Sequence, residues 1–263
     1  MKQDNLAEAE KRFLMEIEID GDITKAYSNL CLLKRLTANM DESIHYGILA
    51  VTSTGDRTDG FYNLAQTLRE TGQDSLSLVY ARQGLMEYPA NVRMLFSLAS
   101  SHYTARSYSA LFYFRRVIDT GSRSLVENFD TGDRMQSQMN LSSDETNLIA
   151  RAHFNISSFQ LPPESIRNHL NKAIAISPDF QQAYIQLGNL EMMQKNPSAA
   201  RKYYEQALEI APPSPILAFN YGNLLASQGE YKKAAQYFNI SLKDQKLYEA
   251  SQQRLIALKN LTI

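Results

Sequence analysis

The chain has 263 residues, a formal net charge of −1 and 44% apolar residues, so it is long enough for one or two globular units or one repeat array. The near-neutral charge does not indicate a broad electrostatic affinity for nucleic acid, and the single cysteine, Cys31, excludes an internal disulfide. No run of roughly 20 apolar residues predicts a membrane span, and no apolar run of signal-peptide length follows the N-terminus. We therefore expect a cytoplasmic protein with no nucleic-acid partner and no membrane insertion.

Residues 1–23 are predicted to contain an N-terminal capping helix. Apolar residues recur near helical spacing over residues 3–19, with charged residues between them. These apolar positions are Leu6, Ala9, Phe13 and Ile17. Their stripe must be buried, and the open end of the first element that follows is the nearest surface that can bury it.

Residues 24–125 and 147–246 each contain three copies of a pattern that recurs every roughly 34 residues. The copies begin near Thr24, Thr58, Val92, Asn147, Gln181 and Pro215. The copy over residues 181–214 fits best, with marker residues Tyr184, Leu187, Gly188, Ala200, Tyr204, Ala207 and Pro212. In the Val92 copy, the second half fits better when it is slipped by one residue, as Ala110, Phe114 and Val117.

Each copy is predicted to form a pair of antiparallel helices. Small residues such as Gly188 and Ala200 lie where the two helices come closest, because a larger side chain would push the backbones apart. A proline such as Pro212 follows the second helix, since proline cannot continue it. Gly72 and Gly229 end first helices and are predicted to adopt the left-handed conformation that closes such a helix.

Residues 126–146 interrupt the array with an acidic and turn-rich stretch, in which a short helix is indicated around residues 134–139. Loops this long inside a compact array are usually functional or disordered, so a tolerated insertion and a flap or partner-docking loop both stay open. Ser142 or Ser143, followed by Asp144 and Glu145, indicates the start of the next helix.

Residues 247–263 are predicted to contain a C-terminal capping helix, because apolar residues again recur near helical spacing. These are Leu247, Ala250, Leu255 and Leu258. The charge is uneven along the chain, with net values of −1, −4 and +4 over residues 1–125, 126–146 and 147–263. The basic C-terminal half either favours an acidic partner or is simply solvated.

The repeat offsets resemble those of the tetratricopeptide repeat family, most specifically at the pairs Gly188-Asn189 and Gly222-Asn223. The chain departs from the family pattern in having no tryptophan and in placing His153 where leucine is expected. The resemblance implies an all-α, right-handed superhelical solenoid of about six helix-turn-helix repeats with a capping helix at each end. It also implies a concave groove, lined by the first helix of each repeat, that holds a peptide or a partner's helix.

Carried over from the family, the predicted peptide-binding groove contains Asn29, Tyr62, Asn63, Gln66, Arg69, Phe96, Tyr103, Arg151, Asn155, Gln186, Asn189, Met192, Phe219, Asn220 and Asn223. Asn155, Asn189 and Asn223 form a ladder with one amide per repeat, and a carboxamide can pair with the backbone of any extended chain. The alternative is that these amides bond only within their own repeats. The aromatic residues and Met192 are predicted to anchor apolar side chains of the ligand.

The sequence contains no recognisable constellation of catalytic or metal-binding residues. The four histidines, His45, His102, His153 and His169, show no ligand-type spacing, and His153 is predicted to be a satisfied buried histidine. No glycine-rich phosphate loop, nucleophile turn or metalloprotease helix is present. We therefore predict a protein that is not an enzyme and has no catalytic residue, metal site or cofactor.

The function indicated by these patterns is that of a scaffold or adaptor whose groove binds a peptide or protein segment. A receptor for C-terminal carboxylates is disfavoured, because the slots that would carry its Lys and Arg hold Ser28, Tyr62 and Phe96. Two alternatives remain: a secretion-type chaperone for an exported client, and the substrate-recruiting region of an enzyme system such as a glycosyltransferase. Self-association through a convex face or an incomplete cap is a further structural possibility.

Overall fold

A computed structural model describes residues 2–19, 22–127 and 143–261 of the chain. Within these residues there are fourteen α-helices and no β-strand, which confirms the predicted all-α class. The helices are α1 (Lys2–Glu18), α2 (Ile23–Leu36), α3 (Met40–Thr52), α4 (Thr58–Glu70), α5 (Asp74–Glu87), α6 (Val92–Thr104), α7 (Ser109–Glu127), α8 (Ser143–Ile156), α9 (Pro163–Ile176), α10 (Gln181–Met193), α11 (Pro197–Ile210), α12 (Pro215–Ser227), α13 (Tyr231–Ser241) and α14 (Tyr248–Leu261). None of the helices in the described ranges is both long and apolar enough to cross a membrane.

The helices follow the repeat pattern of the sequence. First helices begin at Thr58, Val92, Gln181 and Pro215, where copies of the pattern start, and α8 begins at Ser143, one of the two serines predicted to open it. The two helices of a repeat pack against each other in the pairs α2 and α3, α4 and α5, α6 and α7, α10 and α11, and α12 and α13. The chain is thus a helical repeat.

The chain divides into two compact units, Met1–Ala152 and His153–Ile263. The first unit contains α1 to α7 and the first turns of α8. The second contains the end of α8 and α9 to α14.

In the first unit, a glycine lets two repeats approach closely. A Cβ atom on Gly84 of α5 would lie 2.2 Å from Sδ of Met94 and 2.8 Å from Cβ of Phe61. The core around it consists of the buried residues Val51, Phe61, Leu64, Leu68 and Met94. The helix α1 packs against α2, where the buried Lys34 forms ion pairs with Glu10 of α1 and Glu42 of α3.

Cys31 packs in the core of the first repeat. It is fully buried, and the Ser43 hydroxyl donates a hydrogen bond of 2.8 Å to its backbone carbonyl. Burial raises the pKa of the Cys31 thiol, so the sulfur stays protonated and weakly nucleophilic at neutral pH.

In the second unit, the predicted pairing of a small residue with a large one is present in two successive repeats. A Cβ atom on Gly188 would lie 2.4 Å from the ring of Tyr204, and one on Gly222 would lie 2.9 Å from the ring of Phe238. The core around the last two repeats includes Ala200, Ala207, Leu217, Leu224, Leu225 and Ala234. A larger residue than glycine at either position would separate the helices of its pair.

Two arginines at equivalent places in successive repeats connect each second helix to the turn of the next repeat. Arg167 of α9 donates to Oε1 of Gln194 at 2.5 Å and pairs with the buried carboxylate of Glu191. One repeat later, Arg201 of α11 donates to Oε1 of Gln228 at 2.8 Å. The same polar link therefore recurs with the repeat length.

The second helix of the third repeat has the slipped register that its sequence favoured. Ala110, Phe114 and Val117 are each fully buried, whereas Leu111 and Ile118 are only half-buried. The slip places the larger Phe114 ring in the core, where it packs edge-to-face on Phe96 with a centroid separation of 5.6 Å.

Most of the predicted loop over residues 126–146, including the short helix indicated at 134–139, lies outside the described residues. Its first two residues, Val126 and Glu127, belong to α7, which is longer than the sequence pattern indicated. Earlier in the same helix, a Cβ atom on Gly121 would lie 2.3 Å from Cδ1 of Ile149 in α8.

The first helices of five repeats end in a left-handed residue. Gly72 and Gly229 have φ values of 76° and 80°, which confirms the conformation predicted for them. Ala38, Arg106 and Lys195 have φ values of 60°, 53° and 60° at the equivalent positions, although they are not glycines. The turn geometry is therefore a property of the repeat, whichever residue occupies it.

Candidate functional site

The predicted groove residues of the first unit differ in accessibility. Asn63, Gln66 and Phe96 are buried, with 6%, 5% and 5% of their surfaces exposed. Nδ2 of Asn63 donates to the backbone carbonyl of Ser28 at 3.0 Å, and Oε1 of Gln66 accepts from the guanidinium of Arg69 at 2.5 Å. The Asn63 bond joins two repeats, the Gln66 contact lies within α4, and all three side chains are largely covered by neighbouring residues.

The other predicted residues of the first unit are accessible. Asn29, Tyr62 and Arg69 are half-buried, while Tyr103 and Arg151 are exposed. The guanidinium carbon of Arg151 lies 5.0 Å from the centroid of the Phe96 ring, so a cation–π contact holds this cation in place.

In the second unit, the first helices α10 and α12 present uncharged polar and apolar groups. Among the groove residues predicted for this unit, Gln186 is exposed, and Asn155 at the end of α8 is half-buried. The half-buried residues of α10 and α12 are Asn189, Met192, Phe219, Asn220 and Asn223. None of these side chains carries a charge, so this surface suits an uncharged ligand segment better than a charged one.

A hydrogen-bond network fixes two of these amides. The hydroxyl of Tyr204 donates to Oδ1 of Asn189 at 2.8 Å, and Nδ2 of Asn220 donates to the same oxygen at 2.8 Å. Tyr204 is 1% exposed, and burial raises the pKa of its phenol, so the hydroxyl keeps its proton and remains a donor. The network leaves Nδ2 of Asn189 and Oδ1 of Asn220 without a hydrogen-bond partner among the described residues.

The three amides of the predicted ladder have different surroundings. Nδ2 of Asn223 donates to the backbone carbonyl of Phe219 at 2.9 Å, within its own helix, as the alternative interpretation of the ladder required. Asn189 bonds instead across to α11 and α12. The structure therefore brings Asn189 and Asn220 together, a pair that the ladder in the sequence did not predict.

Two histidines that appeared unrelated in the sequence are in contact. Nδ1 of His153 in α8 lies 2.9 Å from Nδ1 of His169 in α9, and His153 is 4% exposed. Burial, followed by the charges of His169 and Lys172, lowers the pKa of His153 to about 4. The only signal of this contact in the sequence was the separation of the two histidines along the chain, which equals the separation of Gly188 from Tyr204. Within the described ranges, no group of three or more His, Cys, Asp or Glu side chains could hold a metal ion.

Two clefts lie away from the predicted groove. One, of about 490 Å³, is lined by residues of α3, α4 and α5 that include Val51, Phe61 and Tyr80. The other, of about 350 Å³, lies between α13 and α14 and includes Ala235 and Leu255. Neither cleft is lined by a residue predicted for the groove.

The repeats of the second unit match the family model described as tetratricopeptide repeat, over residues 167–215 and 185–249. A tetratricopeptide repeat protein of known structure from Parabacteroides merdae is similar to the chain, with 16% identity and a TM-score of 0.55, covering 98% of this chain and 94% of its own. Residues 167–249 thus carry repeats of the tetratricopeptide type, and the chain as a whole has a similar fold. The matched residues contain the network of Tyr204, Asn189 and Asn220.

Two further solved structures are similar in fold. Acl4, described as an assembly chaperone of RpL4, has 12% identity and a TM-score of 0.67, covering 91% of this chain and 96% of its own. YrrB, described as a TPR protein with an unusual peptide-binding site, has 13% identity and a TM-score of 0.51, covering 79% and 96%. Among curated proteins, no sequence matches the chain.

Proposed function

We propose that this tetratricopeptide repeat protein is a non-catalytic scaffold that binds an extended, uncharged segment of a partner protein on the first helices of its second unit. Tetratricopeptide repeats serve as scaffolds for protein–protein interaction, and such arrays present an extended surface to a partner. The observation that supports this particular surface is the amide pair Asn189 and Asn220, which Tyr204 holds in a fixed orientation.

The amide pair suits the backbone of an extended peptide. Nδ2 of Asn189 is a donor and Oδ1 of Asn220 is an acceptor, and a peptide backbone offers one acceptor and one donor per residue. Because the network already orders both side chains, a ligand that binds them loses less side-chain entropy than with mobile amides. The fixed pair therefore favours backbone recognition that does not depend on the ligand's sequence.

Apolar side chains beside the amides supply the remaining contact area. Met192 and Phe219 are both half-buried, so each leaves part of its surface for a ligand. A methionine adapts its shape to different apolar groups, while the Phe219 ring is held edge-to-face on Phe238 at a centroid separation of 5.9 Å. We expect the ligand to place apolar side chains on these two residues.

A chaperone for an exported or assembling client is the second candidate. The Acl4 structure, described as an assembly chaperone, has a similar fold, and an uncharged surface with Met192 and Phe219 suits an apolar client segment. A chaperone of this type would release its client on folding or transfer, whereas a scaffold keeps its partner. The recruiting region of an enzyme system stays a prediction from the sequence.

Selection of random peptides on the immobilised chain tests the proposal. We expect enriched peptides to be rich in uncharged and apolar residues. They should bind the double variant Asn189→Ala, Asn220→Ala roughly thirtyfold more weakly, because two lost hydrogen bonds are worth about 1 kcal/mol each. The variant Tyr204→Phe removes only the buried hydroxyl that orders Asn189 and should also weaken binding, as measured by fluorescence anisotropy.

The control is Gln206→Ala, which truncates an exposed amide on α11. Enriched peptides that bind the double variant as tightly as the unmodified chain would contradict the proposed surface. Circular dichroism of each variant shows whether the helical repeat remains folded.

A further inference from the structure

The cleft between α13 and α14 combines apolar walls with lysines. Ala235 of α13 and Leu255 and Leu258 of α14 line it, together with Lys232 and Lys259. Lys232 is exposed, and the volume of about 350 Å³ is at the small end of the range for ligand sites. A cleft of this size accommodates one large apolar side chain with its charged neighbours along the rim.

The positive charge of the C-terminal half is concentrated on α13, α14 and the segment that joins them. Residues 231–260 contain six basic and two acidic side chains, whereas residues 147–230 contain six of each. The two acidic residues, Asp244 and Glu249, do not line the cleft. The residues that line the cleft therefore include two lysines and no carboxylate.

We propose that this cleft is a docking site for an acidic segment of a partner protein. The segment places one apolar side chain between α13 and α14, against Leu255 and Leu258, and its carboxylates lie beside Lys232. The apolar contact supplies affinity, and the complementary charge speeds association and excludes basic partners. The site shares no residue with the amide surface of α10 and α12, so it constitutes a second interaction surface.

The test uses the full chain and two labelled peptides. One has Leu and Phe at its centre with Asp and Glu on both sides, and the other has Lys and Arg in place of the acidic residues. We expect only the acidic peptide to bind in fluorescence anisotropy, with an affinity that falls as salt is added. Backbone amide shifts in nuclear magnetic resonance should move at Ala235, Asn239 and Leu255.

Two variants and a matched control locate the site. Lys232→Glu should weaken binding of the acidic peptide by roughly tenfold, because it opposes the ligand's charge. Asn239→Trp, which fills the cleft from an exposed position, should weaken it as well. Lys202→Glu reverses an exposed lysine on α11, outside the cleft, and should leave binding unchanged.

Three results would overturn the proposal. These are equal weakening by Lys232→Glu and Lys202→Glu, equal binding of the basic peptide, and amide shifts confined to other helices. Shifts at Leu255 that appear on concentrating the chain without peptide would assign the cleft to a second copy of the chain instead. The variant Asn189→Ala, Asn220→Ala should bind the acidic peptide normally, so failure of the amide surface and failure of this site are distinguishable.

Discussion

At the residue scale, the most regular feature is the left-handed residue that closes the first helix of a repeat. At Lys195, the backbone amide bonds to the carbonyl of Met192, and the amide of Asn196 bonds to that of Glu191, which satisfies two carbonyls at the helix end. Glycine adopts this conformation without cost, whereas a residue with a side chain loses about 1 kcal/mol. The repeat therefore imposes a local strain wherever the position is not glycine.

Replacing Lys195 by glycine should stabilise the protein. The φ value of 60° disfavours lysine, so we expect Lys195→Gly to raise the free energy of unfolding by about 0.5 to 1 kcal/mol in urea titrations. The opposite change at the equivalent position, Gly229→Ala, should lower it, although an added Cβ meets no atom within 4 Å there. Equal stability of the three proteins would show that the turn is not strained.

The sequence identified this turn only where glycine occupies it. Gly72 and Gly229 were recognisable because glycine marks a left-handed conformation, but Ala38, Arg106 and Lys195 carry no such mark. Their recurrence at the repeat length of roughly 34 residues was the usable signal. The position within a repeat is thus a better predictor of the left-handed turn than the residue type is.

At the scale of helices, the contact of His153 with His169 joins α8 to α9. Both rings cannot be protonated without placing two positive charges within 2.9 Å of each other, near Lys172. The lowered pKa of His153, about 4, is below the value of about 6.5 for an exposed histidine. The unfolded chain therefore binds a proton that the folded chain excludes.

We expect the stability of the protein to fall as the pH decreases from about 6.5 towards 4. Above this window His153 is neutral in both states and contributes no dependence on pH; below it, the loss reaches about 3 kcal/mol. The variant His153→Leu places an apolar residue at the position occupied by Leu187 in a later repeat. Its unfolding free energy, measured at several pH values, should be higher at acidic pH and depend less on pH. Parallel curves for the two proteins would assign the dependence to other groups.

The sequence predicted the helices that carry the candidate site, but not all of the contacts among its side chains. The repeat pattern identified which helices come first in each pair, and so which side chains share a face. It did not indicate that Asn63 donates to the carbonyl of Ser28, because this bond joins residues of different repeats. The pattern also did not indicate that Asn220 donates to Asn189, because these two residues belong to different repeats as well. Contacts between repeats depend on side-chain reach, which a period does not encode.

At the scale of the whole molecule, each repeat packs mainly against its neighbours, and the contacts divide the chain into two units. In such arrays, stability is approximately a sum over repeats and the interfaces between adjacent repeats. A defect in one repeat therefore loosens nearby helices more than distant ones. Hydrogen exchange can resolve this difference, because it reports the opening of each helix separately.

The variants Gly84→Ala and Gly222→Ala form a matched pair for this test. An added Cβ would lie 2.8 Å from Cβ of Phe61 in the first case and 2.9 Å from the ring of Phe238 in the second. We expect each to cost about 1 to 3 kcal/mol of local stability. Exchange should quicken in α4 to α6 for Gly84→Ala and in α12 and α13 for Gly222→Ala. Equal acceleration in all helices would instead indicate a single cooperative unfolding unit.

The hydroxyl of Tyr204 gives the amide surface a direction. Because the Tyr204 hydroxyl and Nδ2 of Asn220 both donate to Oδ1 of Asn189, the atoms left for a ligand are a donor on α10 and an acceptor on α12, in that order. An extended chain is not symmetric from end to end, so this order distinguishes the two senses in which it can lie across the helices. A side chain that no ligand touches would thus determine the polarity of the bound strand.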